Sequence, residues 1–220
     1  MNKDNEQNSW RYNAMTLTGT GLVNAVPDTA VIRLGVQTTG ENLIEVQREN
    51  AEKMEQVLEA LQQFDVMEIQ TAEYAINKIY EYENNTRIDR GYSVRNILEI
   101  NTSSLGETGM LIDAAVNAGA NVIEAVEFQV SKRETYYMQA LNLAVMNAYQ
   151  KAKSILKNIG VTSEPVPRNI IENTGMAVPM RNGVVREALS STPIEMGSKQ
   201  IEASVTVEFV YESKWPNRTE

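Results

Sequence analysis

Residues 201–212 read IEASVTVEFVYE. Ile201, Ala203, Val205, Val207, Phe209 and Tyr211 alternate with Glu202, Ser204, Thr206, Glu208 and Glu212. A period of two sustained over this length predicts a β-strand with one face packed and the other in water, as in antiparallel sheets covered on one side. The remainder of the chain must therefore supply partner strands and the layer that covers them.

Working backward, residues 174–199 carry Pro179, Pro193 and three glycines without clear periodicity. A connection that long is a functional loop, an oligomerisation arm or a mobile segment. Its methionines Met176, Met180 and Met196 are candidate interaction residues. Exposed thioethers contact partners or undergo reversible oxidation, and the structural alternative is an apolar latch on the same or a neighbouring subunit. Before it, residues 166–172 read as a short strand. Residues 133–159 read as a helix, in which Tyr137, Leu141, Ala144, Val145, Ala148, Ala152, Ile155, Leu156 and Ile159 repeat at helical spacing. Lys151, Lys153 and Lys157 complement its C-terminal dipole and Gly160 supplies the stop. Its alanine-rich middle predicts close packing on a neighbour.

In the first half, residues 15–21 and 31–37 read as strands joined through Pro27 and Asp28, with Ile32, Leu34 and Val36 on one face of the second. Leu43, Val46, Asn50, Met54, Val57, Leu58 and Leu61 form one stripe of an amphipathic helix over residues 43–61. Two extended segments follow. Ala72, Tyr74, Ile76, Tyr80 and Tyr82 share one strand face, and Tyr92, Val94, Asn96, Leu98 and Ile100 share another, with ENNTRIDRG (83–91) as a polar hairpin tip. Ser104 and Glu107 have capping-box spacing and open a short helix through Leu111, Ala114, Ala115 and Ala118, closed by Gly119. Residues 122–130 read as a strand. The order is β-β-α-β-β-α-β-α-β-β, an α+β fold of predominantly antiparallel sheet packed against helices. We expect a polar tail over residues 1–14, one domain over 15–212 containing the 174–199 loop, and a C-terminal tail over 213–220.

The chain of 220 residues contains no histidine and no cysteine. That removes disulfides, zinc-thiolate sites and thiol nucleophiles, and leaves any serine without a histidine base. With 20 Lys and Arg against 29 Asp and Glu, the net charge of −9 argues against nucleic acid and anionic membrane as partners. Gly19-Thr-Gly21 has no third glycine, no Lys-Ser/Thr and no following helix, so it reads as strand glycines rather than a phosphate loop. Asp28, Glu81, Glu83 and Asp89 are the carboxylates weighed for acid/base chemistry, with solvated loop acids as the alternative. No Asp-x-Asp-x-Asp-Gly calcium loop is present. Ser103-Ser104 and Ser190-Ser191 read as turn and cap serines, and a Ser-Lys dyad has no motif behind it. Glycosylation-type triplets begin at Asn84, Asn101 and Asn217 and read as chance occurrences. No cofactor is expected.

An ordered set of residues resembles the SIMPL-domain family, which includes the YggE-like bacterial proteins. It comprises Gly19-x-Gly21, Pro27-Asp28-x-Ala30, Asn50-Ala51-x-x-Met54, Ile69-Gln70-Thr71, Tyr80-x-Tyr82, Gly91-Tyr92-x-Val94 and Asn96. It continues through Leu111-Ile112-Asp113-Ala114-Ala115, Gly119-Ala120-Asn121, Phe128, the Ala140-Leu141 to Lys151-Ala152 helix, and Pro193-Ile194. The resemblance implies an α+β fold, no established enzymatic activity and no catalytic residues, with bacterial relatives linked to the cell envelope and to stress tolerance. Two departures stand out: the N-terminus MNKDNEQNSWRYNA has no apolar run like the secretion signal common in bacterial relatives, and Asn77-Lys78 stands where they often carry proline. The expected location is cytoplasmic as written, and envelope or secreted if a leader has been removed. The expected function is a non-enzymatic homo-oligomer without membrane insertion. A protein-binding adaptor, like the signalling member of the family, is the alternative, and a carboxylate-dependent enzyme is third.

Overall fold

The computed structural model describes residues 12–83, 86–173, 183–184, 194 and 196–212. The chain divides into two compact units.

The larger unit, Val26–Ser131 with Asn182–Ser198, is built around a four-stranded antiparallel sheet. Its strands are β2 (Thr29–Gly40), β3 (Glu68–Glu83), β4 (Thr86–Thr102) and β5 (Val122–Gln129), in the spatial order β3-β4-β2-β5. Helix α1 spans Leu43–Leu61, the residues its period predicts, and the Asn42 side chain caps it by accepting from the Ile44 N–H. Val46, Asn50, Met54, Val57 and Leu61 are buried, whereas Leu58 lies at the margin of the stripe and is 36% exposed. Ile32, Leu34 and Val36 of β2 and Leu98 and Ile100 of β4 meet Met54, Val57 and Leu61 in one core. Helix α2 (Thr108–Asn117) adds Leu111, Ile112 and Ala115, and Gly119, at φ +112°, ends the turn that follows it.

The predicted capping box is not made. A one-turn 3-10 helix, Leu105–Glu107, precedes α2, and Ser104 forms no side-chain cap. Its N–H instead donates to Thr102 Oγ1, because the chain leaves β4 through a turn that this hydroxyl organises. A short strand β7 (Gly183–Val184) pairs antiparallel with Gly197–Ser198.

The smaller unit comprises Met1–Ala25, Lys132–Arg181 and Lys199–Glu220. Strand β1 (Tyr12–Ala25) pairs with β8 (Gly197–Glu212) from Tyr12↔Glu212 to Ala25↔Lys199, and β6 (Val166–Glu172) lies on the other side of β8. Ala203, Val205, Val207 and Phe209 form the buried face that alternation predicts. It packs under α3 (Arg133–Asn158), where Ala144, Ala148 and Ala152 join Val205, Val207 and Phe209 in the core. Ala140, Ala144, Ala148 and Ala152 recur every four residues along α3, so the helix meets the sheet along a ridge of single methyl groups. Gly19 and Gly21 complete that close approach on β1: a Cβ at Gly19 would lie 2.0 Å from the Ala144 carbonyl oxygen. The Gly-Thr-Gly pair is thus a helix-packing device. Ile155 and Ile159, which the helical stripe predicts as packed, are exposed because the ridge drifts around the helix past them. Gly160 closes α3 at φ +76°, with the Val161 N–H returning to the Leu156 carbonyl.

Candidate interaction surface

The long β3–β4 hairpin is the feature of the larger unit that the other elements leave least covered. Register continues out to Glu83↔Thr86, so only Asn84 and Asn85 join the two strands. The expected nine-residue tip, ENNTRIDRG, is therefore mostly strand. Its charged residues pair across the ladder rather than forming a loop: Lys78 Nζ lies 2.5 Å from Asp89 and Arg90 Nε 2.6 Å from Glu81. Two register shifts break the hairpin. One inserts Ala72 into β3, and the other sets two residues of β4, Arg90 and Gly91, opposite Ile79 alone. Gly91 has φ +92°, and Asp89 fixes the bulge by accepting from its N–H at 2.9 Å.

The Ala72 bulge changes which side chains share a face. Ile69 and Thr71 pair with Ile100 and Leu98, and beyond the bulge Tyr74 and Ile76 pair with Asn96 and Val94. These four β3 residues therefore lie on the helix side of the sheet, and Ala72 leaves the set expected from alternation. The Tyr74 hydroxyl accepts from Gln47 Nε2 of α1 at 3.1 Å. Helix α1 nevertheless packs on β2 and β4, and the outer strand stays open: Tyr74 is 50% exposed and Ile76 42%. Near the hairpin end, Lys78 Nζ lies 5.7 Å from the Tyr80 ring centroid and 5.6 Å from that of Tyr92, and the Arg87 guanidinium lies 4.4 Å from Tyr80. Hydrogen bonding to Asp89 raises the Lys78 pKa, and the same bond, with the Gly91 N–H, lowers that of Asp89.

The opposite face of this sheet is a charge ladder. Arg95 pairs with Glu124 and Glu73, and Arg33 with Glu124 and Glu99. At one end lies an open depression of about 590 Å³ lined by Thr29, Val31, Met67, Glu68, Asn101, Gln129 and Ser131. Beside it, the Asp28 carboxylate accepts from the Ser131 hydroxyl at 2.6 Å and its N–H at 2.7 Å, which hold the Asp28 pKa down. Asp28, Glu81 and Asp89 are thus each engaged separately, and the Glu83 side chain lies outside the described residues. Among the described residues there is no cluster of acidic, His or Cys side chains that could hold a metal ion.

Of the three loop methionines, Met196 is half-buried immediately before β8, and Met176 and Met180 lie outside the described residues, as do Ser190 and Ser191. Asn101 is a ladder residue paired to both Val31 and Glu68, a position unlike the exposed loop a glycan acceptor needs. What alternation could not disclose is that β3 is an edge. Among the described residues, four strands border these two main sheets. On β1, Asn147 Oδ1 accepts from the Thr20 N–H and Lys151 Nζ donates to the Thr18 carbonyl, so α3 side chains cap free backbone groups at Thr18 and Thr20. Strand β6 contains Pro167 and a bulge at Arg168. Strand β5 is eight residues long, faces a register shift and bears Glu124 and Glu127. Each of these is a known means of blunting an edge. Between Glu73 and Lys78, β3 has no bulge, no proline and exposed apolar side chains.

No helix among the described residues is long and apolar enough to cross a membrane. Comparison with known proteins places the chain among bacterial relatives. It is 28% identical over 208 residues to the 26 kDa periplasmic immunogenic protein of Brucella melitensis biotype 1, covering 89% of this chain and 83% of that protein. It is 28% identical over 152 residues to the uncharacterized protein YggE of Edwardsiella ictaluri, covering 68% and 64%. The YggE protein of Escherichia coli K12 is 26% identical over 140 residues, covering 63% of this chain and 57% of that one. The family described as SIMPL, protein of unknown function (DUF541), matches residues 15–209, nearly all of both units, and the chain belongs to that family.

Proposed function

We propose that this protein is a non-enzymatic, self-associating component of the cell envelope whose working part is a surface rather than a pocket. The observation that carries the reading is the contrast among its sheet edges. Three are capped, proline-bearing or short, while β3 keeps an uninterrupted stretch from Glu73 to Lys78 with Tyr74 and Ile76 exposed. Unprotected edge segments template pairing with another chain, so a stable protein that retains one has a use for it. The envelope location is suggested by the relative named as a periplasmic protein. Lack of enzymatic chemistry is supported by the separate engagement of Asp28, Glu81 and Asp89.

Sedimentation velocity across micromolar concentrations tests the reading. The expected result is a sedimentation coefficient that rises with concentration to a defined multimer. A single monomeric boundary throughout would contradict it.

A further inference from the structure

Resting on that reading of the β3 edge, we propose that the partner is a second copy of this chain, paired antiparallel β3 to β3 about a two-fold axis within Tyr74–Ile76. The segment between the two register shifts is Glu73-Tyr-Ala-Ile-Asn-Lys78, the only uninterrupted part of the edge between Ala72 and Ile79. An antiparallel pair generated by a two-fold axis normal to the sheet keeps the helix side of both copies on one side. Because side chains alternate, opposed residues must then have the same parity, and the axis must pass through a residue position rather than between two.

Charge removes half of the six positions. An axis at Glu73 sets that carboxylate against its own copy. An axis at Asn77 opposes Glu73 to Glu81 of the second copy, and one at Lys78 opposes two ammonium groups. Like charges directly opposed on neighbouring strands are destabilising. Axes at Tyr74, Ala75 and Ile76 oppose no like charges anywhere along β3, and parallel in-register pairing would stack every charge on itself. The axis at Ala75 opposes Tyr74 of each copy to Ile76 of the other on the helix side, and the axes at Tyr74 and Ile76 bring two tyrosines or two isoleucines together there, where each is about half exposed. An aromatic ring against a β-branched side chain is a favourable cross-strand pair. The result is a continuous eight-stranded sheet from two four-stranded ones.

The absence of native cysteine allows a direct reading of the register. Tyr74→Cys, Ala75→Cys and Ile76→Cys each carry one thiol, and a residue on the axis meets its own copy within disulfide range. Ile123→Cys on the blunted β5 edge is the control. Mild diamide oxidation is expected to convert one of the three β3 variants to a covalent dimer far beyond the control, with circular dichroism melts establishing that each variant is folded. Wild-type amide exchange at residues 73–78 is expected to slow as concentration rises, which requires no substitution. Control-level crosslinking at all three positions, together with exchange independent of concentration, would overturn the proposal. If sedimentation still showed a multimer, only this interface would fall; a monomer would remove the self-association reading as well.

Discussion

Gly21 of β1 lies so close beneath α3 that a Cβ on it would come within 1.9 Å of the Ala140 carbonyl oxygen. The obstacle is helix backbone, which cannot rotate aside as a side chain can. Gly21→Ala is therefore expected to lower unfolding stability by about 3 kcal/mol or more. Gly106→Ala, where nothing lies within 4 Å of the added carbon, should stay within about 0.5 kcal/mol. Urea denaturation of the two variants measures the contrast, and equal losses would mean that α3 does not rest on this strand.

Asn50 is 1% exposed, and its Nδ2 donates to the Val36 and Val94 carbonyls at 3.1 Å each, tying α1 to β2 and β4. Asn50→Asp would aim a buried carboxylate at two carbonyl oxygens, so desolvation and repulsion should raise its folded pKa above the unfolded value. An acid whose pKa is raised on folding is tolerated when protonated and destabilises as pH rises above the unfolded pKa. The variant is expected to recover stability on acidification from neutral pH toward about pH 5, unlike wild type. Thermal melts across that range provide the check, and parallel pH profiles would contradict the two-carbonyl geometry.

At Gly91 the backbone is left-handed, and an added Cβ would meet the Gly40 carbonyl oxygen at 2.2 Å. Gly91→Ala combines a conformational penalty with a backbone clash and should cost at least about 2 kcal/mol. Amide exchange should show the loss concentrated in β3 and β4. A variant as stable as wild type would mean that the bulge does not set the hairpin's register.

Among the described residues, the ionisable side chains whose pKa values folding clearly displaces titrate far from neutrality. Those of Asp28, Asp89 and Glu164 are depressed from 3.8, 3.8 and 4.5 by donors from Ser131, Lys78 and Lys153, the last aided by Tyr149. Their stabilisation is present above those unfolded values and is lost as pH falls through the lower folded ones. Lys78 and Lys153 are raised from 10.5 by Asp89 and Glu164, and Tyr137 and Tyr149 from 10.0 by Glu172 and Glu164. Their contributions are present below those unfolded values and are lost as pH rises through the higher folded ones. With no histidine, side-chain titration should leave stability nearly flat from about pH 5.5 to 9.5. Denaturation midpoints across that range test this, and a step near neutrality would contradict it.

Periodicity made individual elements legible. It located α1, α3, β6 and the buried face of β8, because a side chain's exposure follows from its place on a helix or strand. It did not disclose partners: β1 pairs with β8 from Tyr12 to Glu212, nearly the length of the chain, and alternation carries no label for which strand lies alongside. Bulges were equally hidden. Ala72 alternates correctly with Tyr74 on paper, yet an inserted residue shifts the phase, and the Asp89-Arg-Gly91 turn chemistry that sets the second bulge reads as a loop tip. Edge status depends on both pairing and register, so the exposed tyrosines read as a strand face but not as an interface.

Light scattering of wild type beside Ile76→Lys tests self-association through β3 most directly. Ile76 is 42% exposed, so the substitution should leave each copy folded while placing a charge in the proposed contact. Wild type is expected to scatter as a multimer and the variant to fall to the monomer mass at the same concentration. Identical masses for the two proteins would contradict the account.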